Sequence, residues 1–209
     1  MGFTGLPAAG ADFYAELRFN NDRDWWLANK PRWERDVRAP LQALADALAS
    51  EFGAARLFRP NRDVRFSADK SPYKDHQGVV VHTGPAMGYY VAMGAEGLMT
   101  GGGWYSPEPA TVARFRSGVD DDDLGDSLEG IVDDLVAGGF EVGGDELKTA
   151  PRGFSADHPR IALLRRKTLV ASAQRGTPEW LESPEAFDRV RDDWLAYQPL
   201  VNWLAAHAA

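Results

Sequence analysis

The chain predicts an α+β fold, with a central, mainly antiparallel sheet packed by N-terminal and C-terminal helices. Three observations predict it. Apolar residues recur at spacings of three and four towards both ends: Trp33, Val37, Leu41, Leu44 and Leu48, then Phe187, Val190, Trp194 and Leu195. Between them lie short runs rich in Val, Tyr and Met, bounded by glycines. No internal repeat or long linker interrupts the 209 residues, so a single domain over 1–209 is expected.

Each element follows from local chemistry. Asp12 suits the cap of a first helix, and Asn20-Asn21-Asp22 should break it, because Asn and Asp compete for the backbone. Pro31 is expected in the first turn of a further helix, with Pro40 kinking it and Gly53 ending it. Alternation over Asp63–Ser67 predicts a strand with Val64 and Phe66 on one face and Asp63, Arg65 and Ser67 on the other. Val79–His82 reads as a second strand. Tyr89–Met93 and Leu98–Thr100 read as a hairpin around Ala95-Glu96-Gly97. Gly101-Gly102-Gly103 is expected to leave the sheet. Ser106-Pro107 should open a helix running to about Ser117. A helical stripe from Leu124 to Val136 ends at Gly138-Gly139, Thr168–Gln174 is strand-like, and Ser183-Pro184 starts a last helix that Pro199 bends.

Charge is unevenly distributed. The chain carries a net −8, yet Arg56–Lys74 holds six Lys/Arg against two Asp, a balance of +4. Lys148–Lys167 holds six against one, a balance of +5. Asp120–Glu146 is the counterweight, with eleven Asp/Glu and no Lys or Arg. The overall negative charge disfavours nucleic acid as a partner. The lack of cysteine removes disulfides, thiolate catalysis and zinc ribbons, and fits a reducing cytoplasm. The first residues do not read as a secretory signal, and no stretch approaches about 20 apolar residues, so no membrane span is expected.

Two basic segments in an acidic chain suggest a small phosphate- or carboxylate-bearing ligand held between them. Arg62, Arg65, Lys70 and Lys74 are the candidate ligand-binding residues of the first segment, and Lys148, Arg152, Arg166 and Lys167 those of the second. Arginine offers a planar fork to such groups, and lysine a point charge. Asp63, Asp69, Tyr73 and His158 are candidate proton carriers should the protein be an enzyme. The competing reading makes Asp63 and Asp69 partners of the arginines in a structural ion network, and His158 a loop histidine bonded to backbone. An alternative function is an interaction module, or a homo-oligomer, that sets the basic face against an acidic surface. The oligomeric state is not legible. The glycine triplet lacks any nucleotide-loop pattern, and the four histidines and the Asp120–Asp126 run lack metal-ligand spacing, so no cofactor or metal is expected.

The stretch Arg62-Asp63-Val64-Arg65-Phe66-Ser67-Ala68-Asp69-Lys70-Ser71-Pro72-Tyr73-Lys74 resembles the signature of a bacterial and fungal family catalogued as domain of unknown function 2461. Leu147–Phe154, Asp157-His158-Pro159, Leu164–Lys167, Phe19–Trp26 and Gly103-Trp104 resemble the same family. The resemblance spans nearly the whole chain and implies a single domain. It implies no substrate.

Overall fold

The computed structural model describes residues 2–65 and 69–208. Its helices are α1 (Ala9–Leu17), α2 (Arg23–Trp33), α3 (Ala39–Phe52), α4 (Pro109–Asp120), α5 (Asp122–Ala137), α6 (Ile161–Leu164) and α7 (Glu185–His207). Its strands are β1 (Ala55–Leu57), β2 (His76–Gly84), β3 (Met87–Gly94), β4 (Gly97–Trp104), β5 (Glu141–Gly143) and β6 (Leu169–Gly176). The strands form one antiparallel sheet in the order β1-β2-β3-β4-β6-β5. An α+β fold with helices at both termini is therefore what the chain adopts.

The chain divides into two compact units. One comprises Met1–Val81, Tyr90–Thr100 and Gln174–Asp192, and the other His82–Tyr89, Gly101–Ala173 and Asp193–Ala209. In the first, Leu6, Phe13, Tyr14, Leu17, Trp33, Val37, Leu41, Leu44 and Leu48 are buried together with Val79, Val91 and Leu98. In the second, Trp104, Phe115, Val119, Leu128, Leu164, Ala171, Trp194, Tyr197 and Leu204 are buried. Period-3.6 and period-2 stripes supply both cores, as expected of one-sided helices and strands.

The first unit opens with two helices separated at Asn20-Asn21, as the sequence predicts. Asp22 caps α2 by accepting from the Trp25 amide at 2.9 Å. Pro31 does not start a helix, however. It lies inside α2. It lacks the amide that would bond the Leu27 carbonyl, and Leu27 is exposed. Pro40 has a different effect. It cannot donate to the Asp36 carbonyl, and the backbone widens into a π-turn at Glu34–Arg38 before α3 begins. The displaced Asp36 carbonyl faces Gly10, where a Cβ would approach it to 2.9 Å.

Three further expectations are corrected. Asp63–Arg65 forms no strand, and Phe66 and Ser67 lie outside the described residues. Asp63 instead turns back on its own chain and accepts from the Arg65 amide at 3.2 Å. Such a local bond competes with strand pairing. Gly101-Gly102-Gly103 does not leave the sheet, because β4 runs through to Trp104. A Cβ at Gly102 would meet the Tyr197 side chain at 2.7 Å, and one at Gly103 (φ +137°) would meet the Leu169 carbonyl at 2.2 Å. The triplet lets α7 and β6 approach the strand closely. Finally, the helix after Ser106-Pro107 begins two residues later than expected, with Pro109 in its first turn.

Candidate functional site: a cationic cluster around Lys74

The cluster belongs to the first unit and grows out of β1. That strand pairs with β2 through Ala55↔Val81, Arg56↔Val80 and Leu57↔Val79. The pairing continues where the Phe58 amide donates to the Gly78 carbonyl at 3.0 Å. The chain then folds on itself. The Arg62 amide donates to the Pro72 carbonyl at 2.9 Å, the Lys74 amide donates to the Pro60 carbonyl at 2.8 Å, and Asn61 bridges Tyr73. These contacts join the segments 60–62 and 72–74 into a closed base.

The helix pair α1–α2 holds that base. Asn21 donates to the Tyr73 carbonyl at 3.0 Å and accepts the Tyr73 amide at 3.1 Å. One side-chain amide thus supplies what a neighbouring strand would have supplied. The Tyr73 ring is buried and stacks on Trp26, with centroids 4.1 Å apart and planes 11° apart.

Four cations gather on this frame. Arg56 lies in β1, Arg59 follows it, and Arg62 and Lys74 lie on the two sides of the closed base. The Lys74 ammonium sits 4.8 Å from the centre of the Phe58 ring. Burial holds the Lys74 ammonium below the ordinary lysine range, and the charges of Arg59, Arg56 and Arg62 add to that effect. Among the described residues, Arg56, Arg59 and Lys74 make no ion pair. Arg62 pairs with Asp69 and lies 3.9 Å from Asp75, while its buried Nε has no partner among the described residues.

Asp75 forms the acidic border of the cluster. Burial acts to raise its carboxyl, but the His76 ring at 2.8 Å and the Arg62 charge together bring it below the usual carboxylate range. Two phenols, the buried Tyr14 and the half-buried Tyr90, lie within its field. Tyr14 accepts from the Trp33 indole at 3.2 Å, and burial pushes its hydroxyl well above the ordinary tyrosine range. Tyr90 is pushed up to about 12 by burial and then by the Asp75 charge. A Cβ at Gly78 would come within 2.3 Å of the Tyr90 hydroxyl, so glycine there makes room for that phenol. Both phenols stay protonated at neutral pH and can donate.

The remaining candidates of the first segment have local partners. Arg65 makes a forked pair with Asp63, at 3.0 and 2.7 Å, and both side chains are exposed. The Arg65 bonds hold the Asp63 carboxyl below its usual range. Asp69 accepts from the Ser71 amide at 2.9 Å and the Ser71 hydroxyl at 2.7 Å, and these bonds hold its carboxyl low. Lys70 donates to the Val64 carbonyl at 2.9 Å.

In the second unit, the basic segment is held mainly by the acidic one. Arg160, only 6% exposed, donates to the Val119 carbonyl at 2.7 Å and the Asp121 carbonyl at 3.2 Å. It also pairs with Asp126 at 2.7 Å and Asp122 at 3.1 Å. Arg165 and Arg166 lie 3.3 and 3.8 Å from Glu146, and they donate to the Leu147 and Gly144 carbonyls. His158 accepts the Arg160 amide on Nδ1 at 3.0 Å, which leaves Nε2 to carry the proton and donate to Asp120 at 3.1 Å. Lys148, Arg152 and Lys167 are exposed. No group of three metal-ligating side chains occurs among the described residues, nor is any helix there long and apolar enough to cross a membrane.

The model of the family described as "Conserved hypothetical protein (DUF2461)" matches residues 9–203. The chain belongs to this family. Membership covers the helices that clamp the Lys74 loop, both basic segments and most of α7. Comparison with curated proteins found no match, and neither did comparison with solved structures.

Several residues of the cluster escaped sequence reasoning. Arg56 and Arg59 counted towards the charge balance without being singled out, although the three-residue spacing Arg56, Arg59, Arg62 was visible. Asp75 directly follows Lys74 and was passed over, whereas Tyr14 and Tyr90 carried no local signal, because only folding brings them near Asp75.

Proposed function

We propose that the protein binds a small anionic ligand, bearing phosphate or carboxylate, at Arg56, Arg59, Arg62 and Lys74. The observation that carries this reading is the absence of ion pairs at Lys74, Arg56 and Arg59 among the described residues, although burial, and after it the charges of the three arginines, already depress Lys74. Like charges held together cost stability. An anion that binds the folded protein alone offsets that cost and adds its own binding energy.

A thermal-shift series with inorganic phosphate, pyrophosphate and citrate tests this. Ligand at a hundredfold excess over Kd stabilises by about 2.7 kcal/mol, or roughly 5–10 °C in a chain of this size. Wild type should shift with at least one of these anions, and Lys74→Ala and Arg59→Ala should shift much less. No shift with any anion, or equal shifts in the variants, would refute the reading.

A further inference from the structure

A second feature lies wholly within the other unit. A groove of about 450 Å³ is lined by Tyr105, Pro107, Val112, Arg116, Asp145 and Lys167, among others. That is the size range of small-molecule sites. Its frame is well fixed. The Tyr105 amide donates to the Ala86 carbonyl at 3.0 Å, and the Lys167 amide donates to the Asp145 carbonyl at 2.7 Å.

Arg116 is the informative member. It projects from α4, and its Nε donates to the Leu164 carbonyl at 2.9 Å. Unlike Arg160, Arg165 and Arg166, it has no carboxylate partner among the described residues. It is half-buried, and that burial lowers its pKa with nothing opposing the effect. A guanidinium stays charged regardless, and the neutral Leu164 carbonyl leaves that charge without a counter-ion. Lys167 adds a second cation to the same wall, again without an ion pair among the described residues. Both stand in a unit whose Asp120–Glu146 run carries eleven acids.

We propose that this groove binds a small carboxylate with an apolar or aromatic body, distinct from the ligand of the Lys74 cluster. The carboxylate pairs with Arg116 and Lys167, and the body lies along Tyr105, Pro107 and Val112. Tyr105 is 47% exposed, and its hydroxyl lies 3.3 Å from the His82 ring. Asp145 selects for low charge. With two cations and one carboxylate in the lining, a monoanion is matched, and a phosphate dianion meets repulsion from Asp145.

Isothermal titration of the full chain with 3-phenylpropionate tests the assignment, with inorganic phosphate and phenylethanol as comparison ligands. Measurable binding of 3-phenylpropionate is expected, with at least tenfold weaker binding of phenylethanol, which keeps the ring and lacks the charge. Lys167→Ala and Tyr105→Ala, both at exposed positions, should each weaken binding about tenfold while leaving the melting temperature unchanged. Asp145→Asn should strengthen it. Arg116→Gln should abolish it, and the Lys167 and Tyr105 variants keep the test decisive should that variant unfold. The proposal is overturned by absence of 3-phenylpropionate binding, by equal binding of phenylethanol, or by undiminished binding in Lys167→Ala and Tyr105→Ala. Lys74→Ala should leave this binding unaffected, so its outcome is separable from that of the Lys74 site.

Discussion

The segments Arg56–Lys74 and Lys148–Lys167 carry similar charge excesses, +4 and +5, but differ in how the fold satisfies them. In the second, Arg160 is buried among three backbone carbonyls and two aspartates, and Glu146 lies beside Arg165 and Arg166, while Lys148, Arg152 and Lys167 stay exposed without ion pairs among the described residues. Its arginines tie the loop to the acidic helix α5 and to the chain around β5. In the first, Asp63 and Asp69 answer Arg65 and Arg62, while Arg56, Arg59 and Lys74 gather without ion pairs among the described residues. Charge excess in a sequence therefore does not distinguish a strut from a site. A buried arginine held between carboxylates marks the strut, and a half-buried lysine crowded by arginines marks the candidate site.

The contrast is open to test by substitution. The largest effect should come from the strut. Arg160→Ala removes a buried cation, takes from the Val119 carbonyl its side-chain donor and leaves Asp122 and Asp126 unpaired, which should cost about 3 kcal/mol in urea denaturation. The neighbouring Gly125→Ala should cost about 1–3 kcal/mol, because a Cβ there would stand 2.3 Å from the Arg160 Nε. If Arg160→Ala melts like wild type, the strut reading fails.

Asn21→Ala should come next. It removes both bonds to the Tyr73 backbone, for a loss of about 2 kcal/mol, and should also weaken anion binding by loosening the base of the loop. A stability loss with full anion affinity would separate the clamp from the site. By contrast, Arg56→Ala and Lys74→Met should change stability by no more than about 0.5 kcal/mol, because neither side chain has an ion pair to lose.

The pH dependence is the smallest effect and has a definite sign. Lys74 is depressed in the folded protein, so between its folded and unfolded pKa the unfolded chain binds more protons. Stability gained from deprotonating Lys74 rises as pH climbs through its folded pKa. Anion stabilisation does the reverse and shrinks over the same range, as the ammonium loses its charge. Thermal shifts with phosphate at a series of alkaline pH values should show that decline, and Lys74→Arg should move it to higher pH.

Much of the architecture was legible because it rests on periodicity. The stripes at Trp33–Leu48 and Phe187–Leu195 became α3 with its preceding turns and α7, and the Ala95-Glu96-Gly97 turn became the β3–β4 hairpin. Prolines and glycines misled where tertiary packing decided. Pro31 is tolerated within α2, and the triplet at Gly101 stays in β4 because α7 and β6 press against it. The candidate site was half legible. Composition located the basic segments, but local bonds such as Asp63 to Arg65 consumed some of their charges, and residues distant in sequence such as Asn21 and Tyr90 joined the others.

Lysine side-chain NMR, following the Cε resonance of Lys74 during titration with pyrophosphate, tests the central claim most directly. The account predicts a Lys74 pKa below those of the exposed lysines, a resonance that moves with pyrophosphate, and a pKa that rises when the anion is bound. A Lys74 resonance that titrates like an exposed lysine and ignores pyrophosphate, phosphate and citrate would contradict it.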